Sequence, residues 1–369
     1  MLYNTAEWKL NRSTHQADSL SMAHPQLENR TKLIMEPIHV MDRDGAPLMA
    51  CVVKGTFLLG EVPQIAPADQ QAPIEMAGEH YGEPEKSSLK YEPETAYMKP
   101  ATDVVLIGHA VPQSRGASTL DVRLRIGPLD KTVRVFGNRR WSQHLGAVRK
   151  TPPEPIEQPI PLIYERAFGG WECAEPDPFS SRFCEWNPVG VGFPRSDVVD
   201  GQPLPNLEDP TNPLEIYGNT PPPFGFGFIG AHWLPRRKWA GTYDAIWQKT
   251  RAPLLPSDFS ERFFNAASPG LISPEYLKGN EPVIIENAHP RGTLRFQLPA
   301  IAPPVVSVRL RGGQLVHLAT VLDTVIINVD EMKLFLLWRA RLRLRMGPHD
   351  VTALKLTCDS QQVQSTPQT

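Results

Sequence analysis

Cysteine, long apolar runs and an excess of either charge are all scarce in this sequence, and each scarcity excludes a class of protein. Four cysteines in 369 residues (Cys51, Cys173, Cys184 and Cys358) stand at irregular spacing. They make no disulfide framework for a chain of this length, and no pair has the CxxC spacing of a zinc site. Cys173 and Cys184 could pair if oxidised, but two reduced thiols are the simpler expectation. No run approaches the roughly 18 apolar residues of a membrane span. The opening residues, MLYNTAEWKLNRSTHQ, lack the apolar core of a secretory signal. The expectation is a cytoplasmic protein with no membrane span. Lysine and arginine number 38 against 40 aspartates and glutamates, for a net charge of −2. With no basic field to hold a phosphate backbone, nucleic acid is not expected as a partner.

The motifs of common chemistries are missing too. The sequence contains no GxxxxGK[ST] phosphate loop, no GxSxG and no HExxH. The glycines of Phe224-Gly225-Phe226-Gly227-Phe228-Ile229-Gly230 follow three prolines, with no strand before them and no helix signal after. No cofactor, metal or catalytic residue is expected, and the protein reads as a non-enzyme.

What is abundant is proline, at 39 residues of 369, about twice the usual ~5% share. Proline is costly inside helices and central strands. The excess argues against a helical bundle or a doubly wound sheet and for short strands joined by stiff, ordered loops. A hydrophobic share of 41% against 21% charged excludes wholesale disorder. The expected fold is mainly β, with antiparallel sheets, sandwich-like or barrel-like, a Pro-rich and loop-rich central insertion and a few short helices.

Texture divides the chain into an N-terminal segment (1–30), a first β region (30–150), a Pro/Trp-rich insertion (151–290), a second β region (291–357) and a polar tail (358–369). These could together form one compact domain. In the first β region, 51–59 is rich in β-formers and 103–110 is continuously apolar. Leu120, Val122, Leu124 and Ile126 alternate with Asp121, Arg123 and Arg125, and Gly127-Pro128 is a turn signal before the alternation resumes at 131–136. The spacing predicts a hairpin over 120–136. In the second β region, Gly312-Gly313 fits a two-residue hairpin turn, and strands are expected over 322–329 and 333–346. Short helices are expected over 242–249 and over 257–267, the latter capped by Ser257.

The insertion holds the candidate binding residues. Residues 151–225 contain 16 prolines, and six of the eight tryptophans lie between 141 and 247. Trp171, Trp186, Phe224, Phe226, Trp233 and Trp239 either cap the strands' core or line a groove for a partner. Arg339, Arg341, Arg343 and Arg345 fall on one strand face. They form either a docking strip for an acidic partner or the charged solvent face of an edge strand. Glu165 and Asp244, in aromatic surroundings, are a candidate carboxylate pair for glycoside hydrolysis, so a carbohydrate-active or glycan-binding protein is the alternative function. His109, at the end of a buried strand, is expected to be structural.

Several segments together carry a resemblance. VVKGTF (52–57), YGEPEKSSLKYE (81–92), KPATDVVLIGHA (99–110), VRVFGNRRW (133–141) and YERAFGG (164–170) come first. NPVGVGF (187–193), LPNLEDP (204–210), GTYDAIW (241–247), LPSDFSERFFNAA (255–267), LDTVIINVD (322–330) and LWRA (337–340) follow in order. The set resembles the bacterial "domain of unknown function 2169" family over about residues 50–345. That resemblance implies an accessory protein of the type VI secretion system, an adaptor-chaperone that binds a secreted toxin effector. The contact is often near the effector's N-terminal region, and the chaperone helps load its client onto the spike protein. It implies no catalytic residues.

Overall fold

The structure is a computed structural model that describes residues 25–60, 65–177, 179–195 and 197–358. The expected N-terminal segment up to residue 24 and the tail beyond 358 lie outside the described residues. Thirteen strands carry the three main sheets: β1 Gln26–Asn29, β2 Ile34–Met41, β3 Pro47–Leu58, β4 Asp103–Ile107, β5 Thr119–Ile126, β6 Leu129–Phe136 and β7 Pro282–Glu286, then β8 Thr293–Gln297, β9 Val305–Leu310, β10 Leu315–Ala319, β11 Val321–Asn328, β12 Lys333–Arg343 and β13 Val351–Thr357. The protein is mainly β, its sheets are largely antiparallel, and among the described residues none closes into a barrel.

The central sheet runs β2-β3-β12-β11-β4. Residues 48–57 of β3, 322–328 of β11 and 334–340 of β12 are buried without a break. A sheet covered on both faces needs mostly apolar side chains on both, and the charged residues buried in it are paired, Lys54 with Glu94 and Arg339 with Asp323. β4 pairs with β11 in parallel, and irregular chain covers its other edge, where Leu271 and Phe226 carbonyls accept from Val104 and Leu106. A second sheet runs β6-β5-β7-β8, with the short segment Leu207–Glu208 paired to the free edge of β6. Here the 120–136 hairpin forms as expected, with Ile126 opposite Leu129 across Gly127-Pro128. The third sheet runs β1-β13-β9-β10.

Both β regions feed the same sheets. β3 pairs with β12 over eleven residues, Gly55 facing Leu336, and β5 pairs with β7. One hydrophobic core takes Val53, Val122, Leu124, Val306 and Leu336 together. β7 also falls inside the span 151–290 expected to be loops and short helices. The insertion has a small core of its own, built from Trp141, Phe168, Cys184, Leu204 and Leu214.

Two local expectations are corrected, and a third, the helix expected over 242–249, forms with shifted bounds. The β9–β10 connection is a three-residue loop, Arg311 to Gly313, because Leu310 N–H reaches Gln314 O at 2.8 Å. The first short helix, α1 Ala245–Thr250, is capped by Asp244, whose carboxylate accepts from Trp247 N–H at 2.8 Å. The second is a single 3-10 turn, Glu261–Phe264, capped by Ser260 rather than Ser257. Ser257 lies upstream of the turn's first residue, Glu261, and Ser260 takes the cap. Cys173 and Cys184 are unbridged thiols, as expected.

Candidate functional site

A cleft of about 500 Å³ opens between two 3-10 turns, Arg236–Trp239 and Glu261–Phe264, and the segment 269–274. Its floor is apolar (Ile229, Ala267, Ile272) and its walls carry Pro100, Pro235, Pro269 and Pro274. The first turn places three consecutive basic residues in three different settings. Arg236 is buried, donating to Phe263 O at 2.7 Å, to Ile229 O at 3.1 Å and to the Glu92 carboxylate. Arg237 points outward to Glu185 at 2.8 Å. Lys238 has no acidic partner among the described residues, and its Nζ lies 4.7 Å from the centre of the Trp239 ring. Arg262, on the facing turn, brings its guanidinium carbon to 5.0 Å from the same ring. Its guanidinium likewise has no carboxylate within reach among the described residues.

The walls are anchored by a buried charge network. Lys99 Nζ donates to Asp103 at 2.7 Å and to Glu92 at 3.1 Å. Asp103 is fully buried and also accepts from Asn265 Nδ2 and Ala266 N–H, both at 2.9 Å. Glu92 joins Lys99 to Arg236. Burial alone would lower the Lys99 pKa, but Asp103, Glu92 and Asp323 together hold it above the usual lysine range. β4 therefore grips one wall through Asp103, and the 92–99 segment grips the other through Glu92. Ser273, the residue after the Ile272 contact with Asp103, lines the cleft, and its buried hydroxyl has no hydrogen-bond partner among the described residues.

The predicted aromatic residues divide between core and surface. Phe226 and Trp233 are core residues, 0% and 9% exposed, and Trp233 packs edge-on against Tyr164. They take the first of the two roles open to them, as part of the main hydrophobic core. Trp171 stacks on Phe183 at 4.7 Å, and Phe224 lies under the Lys131 ammonium at 4.2 Å. Trp186 is 37% exposed. Of the predicted set, Trp239 alone lines the cleft. Trp186→Ala should leave the urea midpoint within the equivalent of about 0.5 kcal/mol of wild type, as exposed positions do. A loss of about 2 kcal/mol or more would move Trp186 into the core.

The arginine strip is broken. β12 is central rather than an edge, and the segment 94–98 covers its face at Arg339. Arg339 is 3% exposed, bound to Asp323 at 2.6 Å and to the Glu94 carbonyl at 3.0 Å. Arg341 and Arg343 are less buried, the latter held by Asp42, and Arg345 lies past the end of the strand.

The glycosidase pair has other duties. Both oxygens of Glu165 are taken by Ser88, through its N–H and its hydroxyl at 2.7 Å each, while Asp244 caps α1. His109 pairs with Asp330 at 3.0 Å. Among the described residues no group of three or more His, Cys, Asp or Glu side chains is placed to hold a metal ion.

Sequence reading missed one constellation with catalytic looks. Lys131 Nζ donates to Ser268 Oγ and to Pro269 O at 2.7 Å each, and Tyr164 Oη bonds Ser268 Oγ at 2.9 Å. A serine beside a lysine is the arrangement of some activated nucleophiles. Ser268 is 0% exposed and Tyr164 2%, so no substrate carbonyl reaches the hydroxyl, and the trio serves as a tie between β6 and the insertion.

Most anchors of the cleft fall within the segments that carry the family resemblance. Glu92, Lys99, Asp103, Asn265, Asp323 and Arg339 all belong to them. So do Asn187, whose amide donates to Tyr164 O at 2.7 Å and Phe168 O at 3.0 Å, and Gly169, where a Cβ would sit 2.1 Å from Asn187 O. A bacterial family described as "Uncharacterized protein conserved in bacteria (DUF2169)" matches residues 44–339. No curated protein and no solved structure matches.

Proposed function

The chain belongs to the DUF2169 family of bacterial proteins, and from that membership together with its open cleft we propose that it is a non-enzymatic adaptor-chaperone. In this reading it binds a type VI secretion effector in the cytoplasm, stabilises it and helps load it onto the spike. The observation that carries the proposal is the cleft itself, where Lys238 and Arg262, without acidic partners among the described residues, both lie against the Trp239 ring over an apolar, proline-walled floor. Tryptophan and arginine are the side chains that dominate binding hot spots. Walls locked by buried ion pairs and proline lose little entropy when a partner arrives, so more of the contact energy appears as affinity. No helix among the described residues is long and apolar enough to cross a membrane.

The test is co-expression of this chain with the toxin encoded beside it, followed by affinity purification and sizing. The expected result is a stable complex, with the toxin insoluble or degraded when expressed alone. Failure to form a complex with either the toxin or the spike protein would sink the adaptor reading.

A further inference from the structure

We propose that the cleft recognises a carboxylate-bearing, extended segment of its partner, an inference that rests on the adaptor reading for the identity of that partner. Lys238 and Arg262 both lie over one ring, at 4.7 and 5.0 Å, and so within about 10 Å of one another, a range at which like charges repel. Each has the Trp239 π face as its contact, and among the described residues no acid joins them. The nearby acids are committed elsewhere. Glu92 serves Lys99 and Arg236, and Asp103 serves Lys99, Asn265 and Ala266. Asp258 accepts from Thr242. Glu261, on the same turn as Arg262, has an exposed carboxylate beyond ion-pair distance.

A carboxylate entering between the two cations relieves their repulsion and forms charge-assisted hydrogen bonds to both. Its neighbouring residue then lies on Ile272 and the flanking prolines, which suit an extended backbone.

The occupant is a peptide rather than a nucleic acid. Two free cations beside one tryptophan are too few to track a phosphate backbone, which is held by a continuous basic groove and successive stacking platforms. The chain's net charge of −2 opposes such binding as well.

The probe is a fluorescein-labelled synthetic peptide alternating Glu, Pro and Leu, followed by fluorescence polarisation against the full chain. The expected result is saturable binding that weakens at least roughly tenfold when Gln replaces Glu in the peptide, as the loss of a charge-assisted pair implies. Binding should weaken to a similar degree in the double variant Lys238→Glu/Arg262→Glu, whose thermal midpoint stays at the wild-type value because both positions are exposed. Equal binding of the Glu and Gln peptides, or no loss in the double variant, overturns the inference. So does competition by a short single-stranded oligonucleotide as effective as unlabelled peptide. Capture of the toxin in co-expression separates this inference from the adaptor reading. If wild type and the charge-reversed variant capture the toxin equally, the adaptor reading stands and the acidic-segment inference falls. If neither captures it while the Glu peptide binds wild type alone, the cleft chemistry stands and its partner is not that toxin.

Discussion

Replacing Asp103 by alanine is expected to lower the unfolding free energy by about 3–5 kcal/mol, the cost of leaving a buried charge without its partner. Asp103 is 0% exposed and receives donors from Lys99, Asn265 and Ala266. Without its carboxylate, Lys99 keeps Glu92, which Arg236 already shares, as its ion-pair partner, and only the more distant field of Asp323. The charges of Lys99, Arg236, Asp103 and Glu92 cancel with Asp103 present and leave an uncompensated cation without it. The double variant Lys99→Met/Asp103→Leu removes one charge of each sign and should cost less than Asp103→Ala alone, although it changes more atoms. Urea unfolding of wild type, Asp103→Ala and the double variant measures the difference. A cost below about 1 kcal/mol for Asp103→Ala would mean that Lys99 finds water, and the network would then not be the anchor of the cleft. The variant also frees Asn265 and Ala266, so peptide affinity should fall at a temperature where the protein is still folded. Stability and recognition meet at this one carboxylate.

The elements legible in the sequence were those governed by one local rule. The 120–136 hairpin follows from alternation and a Gly-Pro turn, β4 from a continuously apolar stretch, and β3 from its richness in β-formers. The cleft depends instead on contacts between distant residues, since Glu92 meets Arg236 across 144 positions and Asp103 meets Asn265 across 162. The alternating arginines of β12 illustrate the limit. Alternation places them on one face, but whether that face meets solvent depends on where residues 94–98 pass, and no local pattern encodes that path. The tryptophans carry the same ambiguity, because a large aromatic ring serves a core and a hot spot equally well. Trp233 and Trp239 stand close together in the chain and take opposite roles. A sequence signal for the network did exist, in the charged residues Lys99 and Asp103 preceding a continuously apolar stretch. A charge four residues from an opposite charge, next to a run destined for burial, calls for a partner inside.

Lys131 should make the protein's stability climb with pH from neutrality upward, by about 5 kcal/mol if its titration were followed to pH 10.5, at 1.36 kcal/mol per unit. It is 4% exposed, and burial, opposed by the charge of Asp209, pulls its pKa from 10.5 down to about 7. The direction follows from proton counts. Below pH 7 the lysine is charged in both states, and folding carries the full cost of burying that charge. Between about 7 and 10.5 the folded state has released its proton while the unfolded chain still holds one, so raising the pH favours folding. Above 10.5 both states are neutral and the contribution levels off. Other groups limit the usable window. Burial raises the Cys51 thiol to about 12 and lifts several tyrosines, so their ionisation in the unfolded chain opposes folding once the pH passes about 8.5. From about pH 7 to 8.5 the lysine alone should add about 1.5–2 kcal/mol. Lys131→Met keeps the length of the side chain and abolishes the titration, so its urea midpoint should be flat over that interval where the wild type rises. Parallel profiles for the two proteins would mean that Ser268, Pro269 and the Phe224 ring form a cage good enough to keep the ammonium charged. Lys131 would then be an ion held by its hydrogen bonds, and burial would not decide its state.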